Sequence, residues 1–208
     1  MNLQFNIGFL ASNNGSGMRA VVAALEAGTL AGRARLVVSN RRQAPALAFA
    51  QAHGIETLWL PTLPDPEAAD AALAQALSKA GVDLVLLSGY LRRLGPLTLR
   101  AYHNRILNIH PALLPKFGGP GMYGRRVHEA VLAAGETRTG ASVHLVDGEY
   151  DHGAVLAQAE VPVLPGDTAA SIEARVTAAE PGLFVETLQR IAAGSLGLPP
   201  FSTTPPGA

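Results

Sequence analysis

The sequence predicts a three-layer α/β fold: a mostly parallel central sheet with helices on both faces, finished by an antiparallel C-terminal strand pair. Three observations predict it. Apolar runs of strand length alternate with helical stretches as far as Gly135. One of those runs, Leu84 to Ser88, is apolar almost throughout, as befits a parallel strand covered on both faces. From Ala141 onward two strand-like runs follow each other with no helix between them.

The elements follow in order. Phe5 to Ala11 reads as a buried strand, and Ser12-Asn13-Asn14-Gly15-Ser16-Gly17 as the turn after it. A helix from Met18 to about Ala27 carries Val21, Val22 and Leu25 on one side. Ala34 to Val38 is a second strand, Ala44 to His53 a helix ended by Gly54, and Ile55 to Leu60 a third strand. Asp65-Pro66-Glu67 is a helix start, with a capping acid, a proline in the first turn and a second acid. Leu73, Ala76, Leu77 and Ala80 keep helical spacing until Gly81. Ile106 to His110 is a strand cut off by Pro111, and Val127, Ala130, Val131 and Ala134 mark a helix. Ala141 to Val146 and Ala154 to Val163 form the antiparallel pair around a wide loop. Thr168 to Ala193 is helical, and Pro181-Gly182 is expected to kink or split it. The early βαβ rhythm makes the sheet Rossmann-like.

Composition sets the class. Hydrophobic residues make up 48% of the 208 and charged residues 15%, against about 25% charged in an average globular chain. That excludes a disordered chain and leaves apolar surface for a second subunit, so a homodimer is one expected assembly. One domain over residues 1–194 is expected, followed by a loose, proline-rich tail over 195–208. A formal net charge of zero argues against nucleic acid as a partner. The absence of cysteine excludes disulfides, thiolate metal sites and thiol catalysis. The uncharged start carries Gln4, Asn6 and Asn13 without a basic residue, unlike a signal peptide, and no run reaches the ~20 apolar residues of a membrane helix. A cytoplasmic protein that does not engage membranes is expected.

Several stretches could carry chemistry. Asn14-Gly15-Ser16-Gly17 feeds a helix, so its backbone N–H groups could cradle a phosphate; it could equally be an ordinary tight turn. Asn108 and His110 alternate onto one face at the end of a strand, where α/β folds hold their ligands. Asparagine can donate to an oxyanion and histidine can exchange a proton, although a hydrogen-bonded pair that merely ends the strand fits the same spacing. Asp151, in the wide loop, gains a role beyond capping a turn if the fold brings it to His110. His144 lies mid-strand and reads as a structural histidine or as a supporting neighbour of the site. Arg92-Arg93 end another strand, as a solvated pair or as ligand contacts. Gly118 to Gly124 is a slack linker or a mobile lid. The six histidines show no metal-binding spacing, and no metal is expected.

Together these pieces resemble the folate-dependent formyltransferases. The resemblance rests on Asn108-Ile109-His110-Pro111 with Leu113-Leu114-Pro115, on Thr139-Gly140-Ala141-Ser142-Val143-His144, and on Tyr150-Asp151-His152-Gly153. It spans residues from about 3 to 194. The Gly15-Ser16 loop and the single-domain length are similar to the members that formylate the amine of glycinamide ribonucleotide with 10-formyltetrahydrofolate. The resemblance implies catalytic roles for Asn108, His110 and Asp151, with His144 behind them. It implies that Asn14, Gly15, Ser16 and Gly17 hold the substrate phosphate, and that Glu180 reaches the ribose. It implies that Leu91, Arg92 and Leu94 line one wall of the folate pocket, and Val146 and Tyr150 the other. It further implies small-molecule partners and direct attack of the amine through a tetrahedral intermediate.

Three departures from the family pattern stand out. Gly17 replaces a frequent asparagine, Pro181-Gly182 interrupts a usually unbroken helix, and the Gly118 to Gly124 stretch is long. The alternative readings are another formyl-folate enzyme, such as a sugar-amine or methionyl-tRNA formyltransferase or a formyltetrahydrofolate hydrolase, and a non-catalytic nucleotide- or folate-binding protein.

Overall fold

The structure is a computed structural model that describes residues 4–199. The strands are β1 (Phe5–Leu10), β2 (Gly32–Ser39), β3 (Glu56–Trp59), β4 (Leu84–Leu87), β5 (Ile106–His110), β6 (Arg138–Leu145) and β7 (Val155–Pro162). The helices are α1 (Ser16–Glu26), α2 (Pro45–Ala52), α3 (Pro66–Lys79), α4 (Pro96–Ala101), α5 (Arg125–Ala133) and α6 (Ala169–Ala192). They form one sheet of order β3-β2-β1-β4-β5-β6-β7. The first five strands in that order run parallel, whereas β6 is antiparallel to both β5 and β7.

Alternating side chains divide the sheet between two cores. Ile7, Phe9, Leu84, Leu86, Leu107 and Val143 face α1, α2 and α6 in the larger core. Leu10, Leu36, Val38, Val85 and Ile106 face Leu73 and Leu77 of α3 in the smaller one. Three layers result, as the sequence predicts. The strand order reverses between β1 and β4, so the loops after these two strands diverge and leave a crevice at their carboxyl ends.

Two elements differ from expectation. Helix α6 is continuous over 24 residues with Pro181 inside it, so the expected split does not occur. An interior proline costs about 3 kcal/mol in an isolated helix. Here Ile172 and Val176 before it, and Leu183, Phe184, Leu188 and Ile191 after it, are all buried. Burying such side chains is worth about 1.5–3 kcal/mol each, so packing outweighs the lost bond. The carbonyl that the proline leaves without an N–H partner belongs to Thr177, which is exposed to water.

Helix α4 was not expected. It begins with Pro96 after Gly95, and its first N–H groups are capped from a distance: the Asp70 carboxylate on α3 accepts from Leu97 N at 2.8 Å and Thr98 N at 3.0 Å. At the C-terminus, Leu196 and Leu198 pack on the larger core, and the Pro199 carbonyl accepts from Arg105 at 2.8 Å. The rest of the expected loose tail lies outside the described residues. Among the described residues, no helix is long and apolar enough to cross a membrane.

Candidate active site

Strands β5 and β6 build the centre of the site. Their antiparallel register sets Asn108 opposite His144 and His110 opposite Ser142, which places four polar side chains on one face. The Asn108 amide nitrogen lies 3.1 Å from His144 Nε2. His144 Nδ1 lies 2.8 Å from the Leu145 carbonyl. A carbonyl can only accept, so the proton of neutral His144 sits on Nδ1 and Nε2 accepts from Asn108. That fixes the asparagine amide and leaves its other N–H free to point into the crevice.

Asp151 meets both histidines. Its carboxylate oxygens lie 3.4 Å from His110 Nδ1 and 3.5 Å from His144 Nε2, and one of them accepts from Gly119 N at 3.0 Å. Burial pushes the carboxyl pKa up, but His144, whose Nε2 can donate to it only when the ring carries a second proton, the His110 ring and the Gly119 N–H outweigh it and hold the group below its ordinary value. Burial lowers the His110 pKa, and the Asp151 charge only partly offsets this. Near pH 7 the pair is therefore a carboxylate beside a neutral imidazole. His110 Nε2 donates to the Phe117 carbonyl at 2.8 Å, so the basic Nδ1 is the atom facing Asp151.

The backbone around the cluster is unusual. Asp151 and Phe117 both adopt left-handed conformations, at φ of 55° and 56°. Such positions cost about 1–3 kcal/mol each and persist where surrounding contacts hold them. Ser142 Oγ braces the segment that leads to Phe117: it donates to Ala112 O at 2.6 Å and accepts from Leu114 N at 3.0 Å and from Gln158 Nε2 at 2.8 Å. In the sequence, Ser142 enters only as part of the Thr139-to-His144 motif, with no role of its own, and nothing singles out Gln158. Ser142 shares a face with His144 two residues on, and that alternation was the signal available.

Gly153 lets the Asp151 loop close onto β6. A Cβ there would sit 2.0 Å from the Leu145 carbonyl oxygen, a backbone atom that cannot turn aside. Gly153→Ala is expected to cost about 1–3 kcal/mol of stability and to lower activity by displacing Asp151. Thermal unfolding read beside turnover checks this, and an unchanged melting temperature would contradict it.

The glycine-serine turn sits where the sequence predicts, at the end of β1. Gly15 is the left-handed N-cap of α1 and offers no side-chain bond. Met18 N is bonded to Ser88 Oγ at 3.0 Å, while the N–H groups of Ser16 and Gly17 have no partner among the described residues. A Cβ on Gly17 would lie 3.0 Å from the Phe184 ring, so glycine here brings α1 and α6 close together. Arg19 donates to the Asn14 carbonyl at 2.9 Å and Arg41 to the Asn13 side chain at 2.6 Å, which adds positive charge beside the turn. Ser12 ties the crevice together: Leu91 N donates to its hydroxyl at 2.8 Å, and that hydroxyl donates to Asn40 at 2.6 Å. None of these three residues was singled out by the sequence.

Glu180 lies one turn before Phe184 on α6, on the side that approaches Gly17. Burial raises its pKa to about 7, and it forms no ion pair among the described residues. Leu91 and Arg92 are exposed at the crevice edge, whereas Leu94 is buried in the smaller core, against which Val146 packs. Tyr150 is exposed, as Leu91 is, and Arg93 bridges the loops that carry them. Among the described residues, no group of three His, Asp or Glu side chains could hold a metal ion.

The fold and the site define a doubly wound α/β protein whose crevice combines an oriented amide donor with a shared carboxylate and two imidazoles. Residues 5–188 match the family described as formyl transferase, and the chain belongs to that family. It is 37% identical over 193 residues to phosphoribosylglycinamide formyltransferase of Escherichia coli (strain K12), covering 92% of this chain and 89% of the relative. It is 40% identical over 182 residues to the chloroplastic phosphoribosylglycinamide formyltransferase of Vigna unguiculata, covering 86% of this chain. The match spans 58% of that plant protein's length. The crystal structure of glycinamide ribonucleotide transformylase 1 from Symbiobacterium toebii superposes with a TM-score of 0.86 at 37% identity, covering 94% of this chain and 91% of that one.

Proposed function

We propose that this protein is a cytoplasmic enzyme that transfers the formyl group of 10-formyltetrahydrofolate to the amine of glycinamide ribonucleotide, in purine biosynthesis. The observation that carries the reading is the contact set Asn108–His144–Asp151–His110 on β5, β6 and the loop after β6, beside the strand β4 that borders the crevice. The substrate amine attacks the formyl carbon and a C–N bond forms. The formyl oxygen becomes an oxyanion, which accepts from the free N–H of Asn108. The attacking nitrogen gives up a proton to Asp151 through water, and His110 Nδ1 stands ready to share it. Collapse of the intermediate breaks the bond to the folate nitrogen, which takes a proton and leaves as tetrahydrofolate. Holding the two reactants together contributes up to about 7–11 kcal/mol of barrier lowering in well-oriented systems. The N–H groups of Ser16 and Gly17 hold the substrate phosphate at the α1 N-terminus, and the Leu91–Leu94 and Val146–Tyr150 segments flank the folate.

The assay mixes the protein with 10-formyltetrahydrofolate and follows folate absorbance with and without glycinamide ribonucleotide. Deformylation that requires the ribonucleotide is expected. Deformylation without it indicates a hydrolase and overturns the proposal; folate binding without reaction indicates another amine acceptor or a binding protein.

Glu180 yields a pH prediction. Its folded-state pKa of about 7 lies above the ordinary 4.5. The folded ligand-free chain therefore holds this proton more tightly than the unfolded one, and stability falls as pH rises between those two values. A ribose diol prefers the ionised carboxylate as acceptor, so the KM for the ribonucleotide should fall as pH rises through 7. In Glu180→Gln the KM should be higher and its pH dependence flat, while the melting temperature at pH 8 should exceed that of the wild type. A Gln variant with the parental KM profile would remove Glu180 from the ribose site.

A further inference from the structure

An arginine joins the loops that follow β4 and β6. Arg93, in the loop after β4, donates from Nη2 to the Gly148 carbonyl in the loop after β6, at 2.6 Å. Its guanidinium carbon lies 5.7 Å from the centroid of the Tyr150 ring. Inside the same loop Asp147 accepts from Glu149 N at 2.8 Å and contacts His152 Nδ1 at 2.9 Å. Asp151 follows Tyr150 directly. Its contacts with His110 and His144, at 3.4 and 3.5 Å, are near the limit of useful hydrogen-bond length. The position of its carboxylate is thus set mainly by the loop backbone, and a small drift of that loop would separate it from both rings.

We propose that Arg93 is a positioning residue: its bond to Gly148 and its cation–π contact with Tyr150 strap the loop that carries Asp151 to the loop after β4, and so hold Asp151 within reach of His110 and His144. The planar guanidinium suits this double duty, since it can donate along its edge while its face lies on a ring. A leucine would leave the Gly148 carbonyl to water and the loop tied only through its own ends, Asp147 and the Gly119–Asp151 bond. The inference rests on the proposed catalytic reading for its effect on turnover, but the strap itself exists in the ligand-free protein.

The test compares Arg93→Leu and Arg93→Lys with the parent in the full chain. In the ligand-free proteins, amide hydrogen exchange over residues 148–152 and the NMR titration of His110 are read first. Arg93→Leu should exchange about fivefold faster or more in that loop, the scale of one ordinary hydrogen bond lost at an exposed site. Its His110 titration should move to lower pH, because Asp151 favours the charged ring and will have moved away. Turnover should fall about tenfold, with KM values within about threefold, as expected when a catalytic group is slightly misplaced. Arg93→Lys keeps a charged donor and should recover part of the protection and of the turnover. Unchanged exchange and an unchanged His110 titration in Arg93→Leu overturn the strap whatever the turnover. A raised KM for the formyl donor with an unchanged His110 titration makes Arg93 a ligand contact and also overturns it. Should the parent show no formyl transfer, the two ligand-free measurements still decide.

Discussion

Replacing Asp151 by asparagine should lower turnover by about 10²–10⁴-fold, the range for removal of a general base, while leaving the folded state and ligand affinity nearly intact. Asparagine keeps the shape and an acceptor oxygen for Gly119 N, whose bond to Asp151 measures 3.0 Å. The negative charge between His110 and His144 is lost. Two consequences can be separated. The proton of the attacking amine loses its carboxylate acceptor and is left with the weaker His110 Nδ1, so kcat falls far more than KM rises. His110 also loses the charge that favours its imidazolium form, so its pKa, already lowered by burial, should drop further. The acid limb of any residual activity should move to lower pH accordingly. Stability should change in the same sense. Asp151 has a depressed folded-state pKa, so it contributes stability above its unfolded value that is lost as pH falls through the folded one. Asp151→Asn should lack that acid-side loss. Steady-state kinetics, calorimetric ligand binding and unfolding against pH check the three parts. A loss of less than about tenfold in kcat would falsify the assignment of Asp151 as the proton acceptor.

Asn108→Ala should cost about 10²–10³-fold in kcat, or roughly 2.7–4 kcal/mol of transition-state stabilisation, the scale for deleting one oxyanion donor. The amide is oriented by its contact with His144 Nε2 at 3.1 Å, so the donor is in place before the oxyanion develops. Ground-state binding of either substrate uses little of this interaction, and KM should move by only a few-fold. The variant also leaves the buried His144 ring nitrogen without its donor, which should lower stability by about 1–3 kcal/mol. His144→Ala tests the orienting step from the other side. It should lower kcat less than Asn108→Ala, since the amide survives but turns freely. If Asn108→Ala raised KM and spared kcat, the residue would be a binding contact rather than an oxyanion donor.

The two substitutions probe parts of the site that differed in how readable they were. Asn108 and His110 were legible because strand alternation and the stop at Pro111 put both on one face at a strand end. The glycine-serine turn was legible as the turn from β1 into α1 because it lies in consecutive residues. Asp151 and His144 were visible as residue types, but their meeting with His110 and Asn108 depends on the β5–β6 register and on the closure permitted by Gly153. Ser12, Ser142, Gln158 and Arg93 act through partners 16 to 79 residues away in the chain. Alternation put Ser142 on the face of His144 and a strand end drew notice to Arg93, but no local pattern announces the partners these residues bond. Helix α4 escaped for the same reason: its first turn is capped by Asp70, 27 and 28 residues before the groups it caps. The continuity of α6 went the other way, since a sound local rule about proline was outweighed by the burial of residues on both sides of it.

By itself the sequence determined the layer order, the strand and helix alternation and the carboxyl-end location of the site, because periodicity and turn chemistry act over a few residues. The tertiary structure decided which polar groups meet and in which direction the Asp151, His110 and Glu180 equilibria move. Those quantities depend on distances between side chains on different elements and on the water excluded around them. Neither is encoded in spacing along the chain.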